Sequence, residues 1–198
     1  MVIGASFAAG LNVYATAATL GLLAHFKVFA LPPSLQLLDN WWVISAALAL
    51  FTIEFFADKI PAFDLIWNAL HTFVRVPAAA LMGYAATTSL SPKAQLLSAL
   101  MAGLIALAAH GGKTALRAAV TPSPEPLSNF GLSLVEDVAA IGLTWFAVTH
   151  PYAAAGVALA SVLAVIVLLR WVYRALKRLF SGAERELHAL EHHSSVAR

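Results

Sequence analysis

Long apolar stretches alternate along the chain with short breaks that contain proline or several polar residues. A helix needs about 20 predominantly apolar residues to cross the hydrocarbon core of a membrane. Six stretches approach or exceed this length: residues 5–30, 41–57, 61–90, 94–111, 127–149 and 151–175. The period-two alternation of a membrane β-strand is absent. The pattern therefore predicts an all-α, polytopic transmembrane helical bundle with about six spans.

The breaks contain proline, which lacks a backbone donor and disfavours a continuing helix. They lie at Pro32-Pro33, Pro61, Pro92, the run from Pro122 to Pro126, and Pro151. We therefore expect proline-broken helices in a bundle formed by residues 1–180. The polar residues 181–198 predict a cytoplasmic tail. Three histidines in this tail have a spacing that suits a metal ion, but a solvated tail is the preferred interpretation: His188, His192 and His193.

Composition supports a membrane protein. The chain is 61% hydrophobic and 11% charged, and its mean hydropathy of +0.81 lies far above that of soluble domains. Cysteine is absent, which excludes disulfides and thiolate metal sites. We predict no cofactor and no bound metal.

The basic residues are concentrated behind the last apolar stretch. Half of the 12 Lys and Arg residues lie there: Arg170, Arg174, Lys177, Arg178, Arg185 and Arg198. This is a juxtamembrane cluster, so it predicts no nucleic-acid partner. The positive-inside rule places the C-terminus in the cytoplasm, and six spans would place the N-terminus there too.

An unusual number of ionisable residues gathers in the first half. On a helix over residues 62–76, four polar side chains share one stripe, at spacings i, i+4, i+7 and i+11: Asp64, Asn68, His71 and Arg75. Glu54 and Asp58 precede them one helical turn apart, and Lys59 follows at the break. Residues 62–76 could span the membrane, enter and leave on one side, or lie in its plane as an amphipathic helix.

The second half repeats this outline. His110, Lys113 and Arg117 end one apolar stretch, a proline-rich break follows, and the next helix carries a polar side: Asn129, Ser133, Glu136 and Asp137. Each half therefore consists of a helix with a charged end, a break, and a helix with a polar stripe. This predicts a two-fold internal repeat about an axis along the membrane normal.

Glu136 and Asp137 would lie deep in the membrane, ~14 Å along a helix that begins near Leu127. A bare carboxylate there costs at least ~3 kcal/mol, so both need partners, water or protons. Our first hypothesis pairs one of them with Arg75 or His71. Two alternatives stay open: a buried ion pair that only fixes helix packing, and, for the charges near residues 58 and 117, solvated loop ends.

Three segments resemble a known family: GLNVYATAATLGLLAHF, EFFADKIPAFDLIWNALHTFVRVPAAALMG and KTALRAAVTPSPEPLSNFGLSLVEDVAAIGLTWFAVTHP. Over about residues 10–175 the chain is similar to small bacterial integral membrane proteins catalogued as a domain of unknown function. The D-K-I-P and S-P-E-P-x-S-N segments are distinctive. The resemblance implies a bacterial inner (cytoplasmic) membrane and a signature that includes Asp58, Lys59, Pro61, His71, Arg75, Lys113, Arg117, Pro124, Glu125, Pro126, Ser128, Asn129, Glu136 and Asp137.

The leading functional hypothesis is a small transporter or permease for an anionic solute or a phosphorylated lipid head group, coupled to a proton or cation. The solute site would comprise Asp58, Lys59, Asp64, Asn68, His71, Arg75, His110, Lys113, Arg117, Ser128 and Asn129. The coupling residues would be Glu54, Glu136 and Asp137.

Two other classes are weighed against transport. One is a structural or partner-binding membrane protein with a dry, fully paired core. The other is a metal-dependent membrane enzyme, but the sequence lacks hydrolase, zinc-protease and phosphate-loop motifs, so no enzyme is predicted. Besides the lipid bilayer we expect a homodimer or homotrimer, because pairs of small residues let helices approach closely: Ala79 and Gly83, Ala102 and Ala106, Gly156 and Ala160.

Overall fold

The computed structural model describes residues 1–59, 61–120 and 126–196, and the side chains described lie in 1–59, 66–117 and 130–171, with 173, 174 and 177. Across these residues the chain is helical and has no strand, so the all-α prediction is confirmed. In chain order the elements are α1 Val2–Leu11, α2 Val13–His25, a 3₁₀ helix Pro33–Asp39, α3 Trp41–Ala57, α4 Pro61–Ala85, α5 Pro92–Val120, α6 Pro126–Thr149 and α7 Pro151–Val196.

Proline begins each of the four long helices from α4 to α7. The first turn of a helix tolerates proline, because its missing N–H would have no partner within the helix. The predicted breaks therefore become helix starts. Pro77 is different, because it lies inside α4 and the helix continues through it to Ala85.

Three helices are long and apolar enough to cross a membrane: Pro92–Arg117, Phe130–Thr149 and Pro151–Trp171. A fourth candidate is the pair formed by Pro33–Asp39 and α3, which bends by 66° at its break. These counts refer to the described residues. The chain is thus a membrane protein by the length and composition of its helices.

The chain divides into two compact units, Met1–Val162 and Leu163–Arg198. The first contains α1 to α6 and the start of α7. The second contains the rest of α7, which is helical as far as Val196. The predicted boundary at residue 180 between bundle and tail stays a prediction.

The expected single span over residues 5–30 is wrong, because Asn12 divides it into α1 and α2. Asn12 has an extended backbone, with φ −152° and ψ 106°. Its side-chain oxygen accepts a hydrogen bond from the Ala15 N–H at 2.9 Å, which caps the start of α2. A capping residue in the middle of an apolar stretch therefore ends one helix and begins the next.

Contacts with α6 show that α1 and α2 run in opposite directions. Along α1, Gly4 lies against Ala147, and Leu11 lines a groove with Ala139 and Leu143. Along α2, Asn12 binds Asp137 and Thr16 lies 3.4 Å from Thr144. From the start to the end of α1, the contacted residues of α6 therefore have decreasing numbers. From the start to the end of α2, they have increasing numbers. The two helices form a hairpin whose tip is Leu11, Asn12 and Val13, which we call the hairpin tip.

Neither helix of the hairpin is long enough to cross a membrane. Their 10 and 13 residues correspond to about 15 and 20 Å at 1.5 Å per residue, against a hydrocarbon core of about 30 Å. The open end of the hairpin lies beside the end of α4, because Met1, Leu20, Met82 and Ala86 line one small cavity. The hairpin therefore enters the bundle and returns to the same end of it.

Small residues allow the hairpin to pack closely. Ala8, Ala9 and Gly10 are buried, and α1 packs against α4, α5 and α6. A Cβ on Gly10 would lie 2.7 Å from the Ala109 Cβ and 2.8 Å from the Ala106 Cα. No real Cβ makes contacts this short, so glycine is needed where α1 crosses α5.

Gly10→Ala is expected to destabilise the protein, because the added methyl group overpacks the contact between α1 and α5. Overpacking of this kind costs about 1–3 kcal/mol. Thermal unfolding of the purified protein in detergent measures the loss. Gly142→Ala is the matched control, since a Cβ there meets no described atom within 4 Å and alanine favours a helix by about 1 kcal/mol. Equal unfolding midpoints for the two variants would contradict the close packing of the hairpin.

Candidate functional site

A buried charge cluster lies where the ends of α3 and α5 meet the middle of α4 and the first half of α6. The pair Glu54 and Asp58 and the pair Lys113 and Arg117 are each spaced four residues apart, which places each pair on one helix face. All members are at most 7% exposed, and we call the following set the charge cluster: Glu54, Asp58, Arg75, Lys113, Arg117, Glu136 and Asp137. The alternative of solvated loop ends is therefore wrong for these residues.

Lys113 lies at the centre of the cluster. Its Nζ donates to Asp58 Oδ2 at 3.0 Å and lies 3.2 Å from Glu136 Oε2. It is also 4.0 Å from Glu54 Oε1 and 3.4 Å from the Leu11 carbonyl oxygen. An ammonium has three donors and no acceptor, so one side chain on α5 reaches α3, α6 and the hairpin tip.

Arg117, one turn further along α5, joins the same two carboxylates. Its Nη2 donates to Glu136 Oε2 at 2.6 Å and to Asp58 Oδ2 at 3.0 Å, and its Nε lies 3.2 Å from Glu136 Oε2. The planar guanidinium suits such forked contacts. Asp58 and Glu136 therefore each lie against two cations.

Arg75 forms a separate pair with Glu54, and both side chains are fully buried. Its Nη1 also donates to His110 Nδ1 at 2.8 Å. Because Nδ1 accepts, His110 is neutral with its proton on Nε2, which lies 3.1 Å from the Asn68 carbonyl oxygen and 2.8 Å from Thr72 Oγ1. Asn68 thus contacts both Arg75, through its side chain, and His110.

His71 lies beside the cluster without an ion pair among the described contacts. Its Nδ1 donates to the Trp67 carbonyl oxygen at 2.8 Å, so its Nε2 accepts from the Tyr14 hydroxyl at 3.1 Å. The rings of Tyr14 and Trp67 enclose it, with centroids 5.6 and 4.4 Å away. It connects α4 to α2 next to the hairpin tip.

The expected pairing of Glu136 or Asp137 with Arg75 or His71 is wrong. Glu136 instead contacts Lys113 and Arg117, and Asp137 contacts Asn12. The reason is geometric: Arg75 is occupied by Glu54, whereas Lys113 and Arg117 lie one turn apart on α5 and face α6.

The hairpin tip is part of the site, and Asn12 is absent from the predicted site residues. Asn12 Nδ2 donates to Asp137 Oδ1 at 2.9 Å. Lys113 donates to the carbonyl of Leu11, at the end of α1, where the helix dipole favours a cation. A capping asparagine between two apolar segments was the available signal for this break.

Three predicted site residues have side chains outside the described residues: Asp64, Ser128 and Asn129. The Nζ of Lys59 donates to the Phe55 carbonyl at 2.6 Å and lies 2.9 and 5.0 Å from the ring centroids of Phe55 and Phe130. Lys59 therefore lies at the edge of the cluster.

The model of a family described as Domain of unknown function (DUF4126) matches residues 1–171. The chain belongs to this family. No curated protein and no solved structure matches it. In this DUF4126 protein, the matched region contains the hairpin and every residue of the charge cluster.

The Arg75–Glu54 pair is expected to show strong energetic coupling. Removing one partner of a buried ion pair costs about 3–5 kcal/mol, because the other charge stays buried without a counter-charge. Arg75→Met and Glu54→Gln should therefore each destabilise the protein, and the double variant should lose less stability than the sum of the two single losses. Unfolding free energies of the four proteins in detergent measure this.

The exposed pair His25 and Asp39 supplies the control. Its side chains are 44% and 48% exposed, and such pairs are worth at most about 1 kcal/mol. The same cycle with His25→Gln and Asp39→Asn should give little coupling. If the losses of unfolding free energy for Arg75→Met and Glu54→Gln add up to that of the double variant, the two side chains are not coupled and the predicted ion pair is refuted.

Proposed function

We propose that this protein is a small transporter or permease whose intramembrane site consists of the charge cluster and the hairpin tip. The observation that carries the proposal is the hairpin, which ends against buried charge. Discontinuous helices whose ends meet ions or charged solutes near the membrane midplane are typical of transporters. Non-helical backbone at membrane depth is tolerated where it is buried in protein or lines a water-filled cavity, and Asn12 is fully buried.

The charges of the cluster favour coupled movement of an anion and a positive charge. The cluster contains three cations, Arg75, Lys113 and Arg117, and four carboxylates, Glu54, Asp58, Glu136 and Asp137. Each cation already contacts a carboxylate. An anionic solute must therefore displace a carboxylate from its cation, and a proton or cation that neutralises the displaced carboxylate would make this exchange favourable. A soluble anion and a phosphorylated lipid head group offer the same chemistry.

The roles of the individual residues follow from this exchange. Arg75, Lys113 and Arg117 would bind the anion, with Asn68 and His110 orienting it. Glu54, Glu136 and Asp137 are the candidates for coupling. The other members of the solute site stay predictions: Asp58, Lys59, Asp64, His71, Ser128 and Asn129.

The arrangement of α3 to α6 supports the internal repeat. Glu54 and Asp58 end α3 one turn apart, and Lys113 and Arg117 end α5 with the same spacing. Asp58 contacts both Lys113 and Arg117. We therefore propose that the two halves are related by an axis along the membrane normal, with charges of opposite sign at matching positions.

The hairpin changes the proposed topology. Six crossings with both termini in the cytoplasm require residues 5–30 to cross, and a re-entrant hairpin does not. We therefore propose five crossings, by α3 to α7. The positive-inside rule keeps the basic residues after α7's apolar part in the cytoplasm, so residue 1 would lie outside. A bacterial inner membrane and a homodimer or homotrimer remain parts of the proposal.

A structural protein is the second candidate, because each cation of the cluster is paired. It predicts a core that water never reaches. Transport requires that water and solute reach the site during the cycle, so accessibility separates the two functions.

Single cysteines in this cysteine-free chain test that difference. Ser133 is fully buried on α6, one turn before Asp137. In native vesicles, Ser133→Cys should react with a small membrane-impermeant maleimide from one side, because the transport cycle opens the site to water. Val138→Cys is the control, since Val138 is 62% exposed on the outside of the bundle, where lipid would keep its thiol unreactive. Thr88→Cys lies in an exposed loop and gives the labelling rate of a fully accessible thiol.

Labelling of Ser133→Cys well above that of Val138→Cys supports transport. A Ser133→Cys rate equal to that of Val138→Cys, in protein with an unchanged unfolding midpoint, would refute it and favour the structural function. Labelling of Thr88→Cys and Ser133→Cys from opposite sides would place the opening of the site at the cytoplasmic end.

A further inference from the structure

Asp137 differs from the other three carboxylates of the charge cluster. Glu54, Asp58 and Glu136 each contact a cation. Asp137 instead accepts one hydrogen bond from the Asn12 amide, and its Oδ2 has no partner among the described residues. The residue is only 3% exposed. Unpaired buried carboxylate oxygen is costly unless a ligand satisfies it.

The charged groups around Asp137 also leave it without a contacting cation among the described residues. Those that act on Asp137 are Lys59, after α3, Lys113 on α5, and Glu54 and Asp58 on α3. Glu136 precedes it on α6; α1 carries no titratable side chain, and Tyr14 on α2 faces His71. Within the charge cluster, three cations meet four carboxylates. Asp137 is the one carboxylate of this set that contacts no cation among the described residues.

The chemistry of the site favours a proton over a metal ion. A hard cation needs several oxygen ligands, but Asn12 presents its amino group to Asp137. This orientation is fixed, because the Asn12 oxygen accepts from the Ala15 N–H. A proton on Oδ2 needs one acceptor instead of several oxygen ligands. Ser133 Oγ, one turn earlier on α6, is also buried with no partner in the described part of the chain, and a hydroxyl can both donate and accept a proton.

We infer that Asp137 binds the coupling proton and that its hydrogen bond to Asn12 transmits the protonation to the hairpin tip. This inference rests on the proposed transport function. It names the coupling ion as a proton and the moving element as the hairpin tip. An ionised carboxylate holds an amide donor about twice as strongly as a neutral acceptor does. Protonation of Asp137 therefore weakens the contact between α6 and the hairpin tip, and the contact of Lys113 with the Leu11 carbonyl remains. The proton is taken up from water and returned to water.

Two measurements on the full-length protein in detergent test the inference. Infrared difference spectra between about pH 5 and about pH 8 detect protonation of a buried carboxyl group. The labelling rate of Thr16→Cys reports opening of the hairpin, because Thr16 is fully buried in the first turn of α2. Each rate is divided by that of the exposed Thr88→Cys at the same pH, which removes the pH dependence of the thiol itself.

The normalised rate of Thr16→Cys should rise at least about fivefold at acid pH, the lower end of usual coupling strengths. Asp137→Asn should abolish both the carboxyl band and the rise. Asp39→Asn, the same substitution at an exposed pair, should change neither. Asn12→Ser keeps a capping oxygen for α2 but removes the amide donor, so it should keep the band and lose the rise.

A carboxyl band that survives Asp137→Asn would overturn the proton site. A rise that survives Asn12→Ser would overturn the link to the hairpin tip, and Asn12→Ser provides this test even if Asp137→Asn does not fold. Transport can fail separately. Suppose that Ser133→Cys is never labelled, but the carboxyl band and the acid-pH rise in the Thr16→Cys labelling rate both depend on Asp137. The proton site is then supported and the transport function is refuted.

Discussion

The contacts of the Lys113 ammonium group hold the site together. This one group lies within 4.0 Å of carboxylates on α3 and α6 and donates to the carbonyl at the end of α1. Without it, Asp58 and Glu136 would share Arg117 alone, and the carbonyl of Leu11 would lose its donor. Buried charge is stable only when each group is paired and desolvation is offset. The positions of α3, α6 and the hairpin are therefore linked through a single side chain of α5.

The same requirement explains why the cluster is informative about function. A structural ion cluster gains nothing from a surplus charge, because an unpaired buried carboxylate only costs free energy. Here Arg75, Lys113 and Arg117 each contact a carboxylate, whereas Asp137 contacts no cation among the described residues and touches the hairpin tip. Asp137 therefore lies against the break between α1 and α2.

The sequence predicted the helices well where local chemistry sets them. Prolines at the starts of α4 to α7 and the spacings of Asn68, His71 and Arg75 follow from backbone and helix geometry. The hairpin could not be predicted in this way, because hydropathy cannot distinguish one long apolar helix from two short ones. A single capping residue, Asn12, decides between them. The ion pairs could not be predicted for another reason. The choice between partners depends on which helices are neighbours, and the residue spacing within one helix carries no information about its neighbours.

Small residues link the packing of the hairpin to the charge cluster. An extended residue in the membrane interior needs hydrogen-bond partners close by, and long side chains around it would hold other helices at a distance. Gly10, Ala106 and Ala109 bring α1 against α5, and this approach carries the Leu11 carbonyl to within 3.4 Å of Lys113. The glycine thus serves the charge cluster as well as the packing. The hairpin is therefore held by this packing together with the polar bonds at its tip, from Asn12 to Asp137 and from Lys113 to the Leu11 carbonyl.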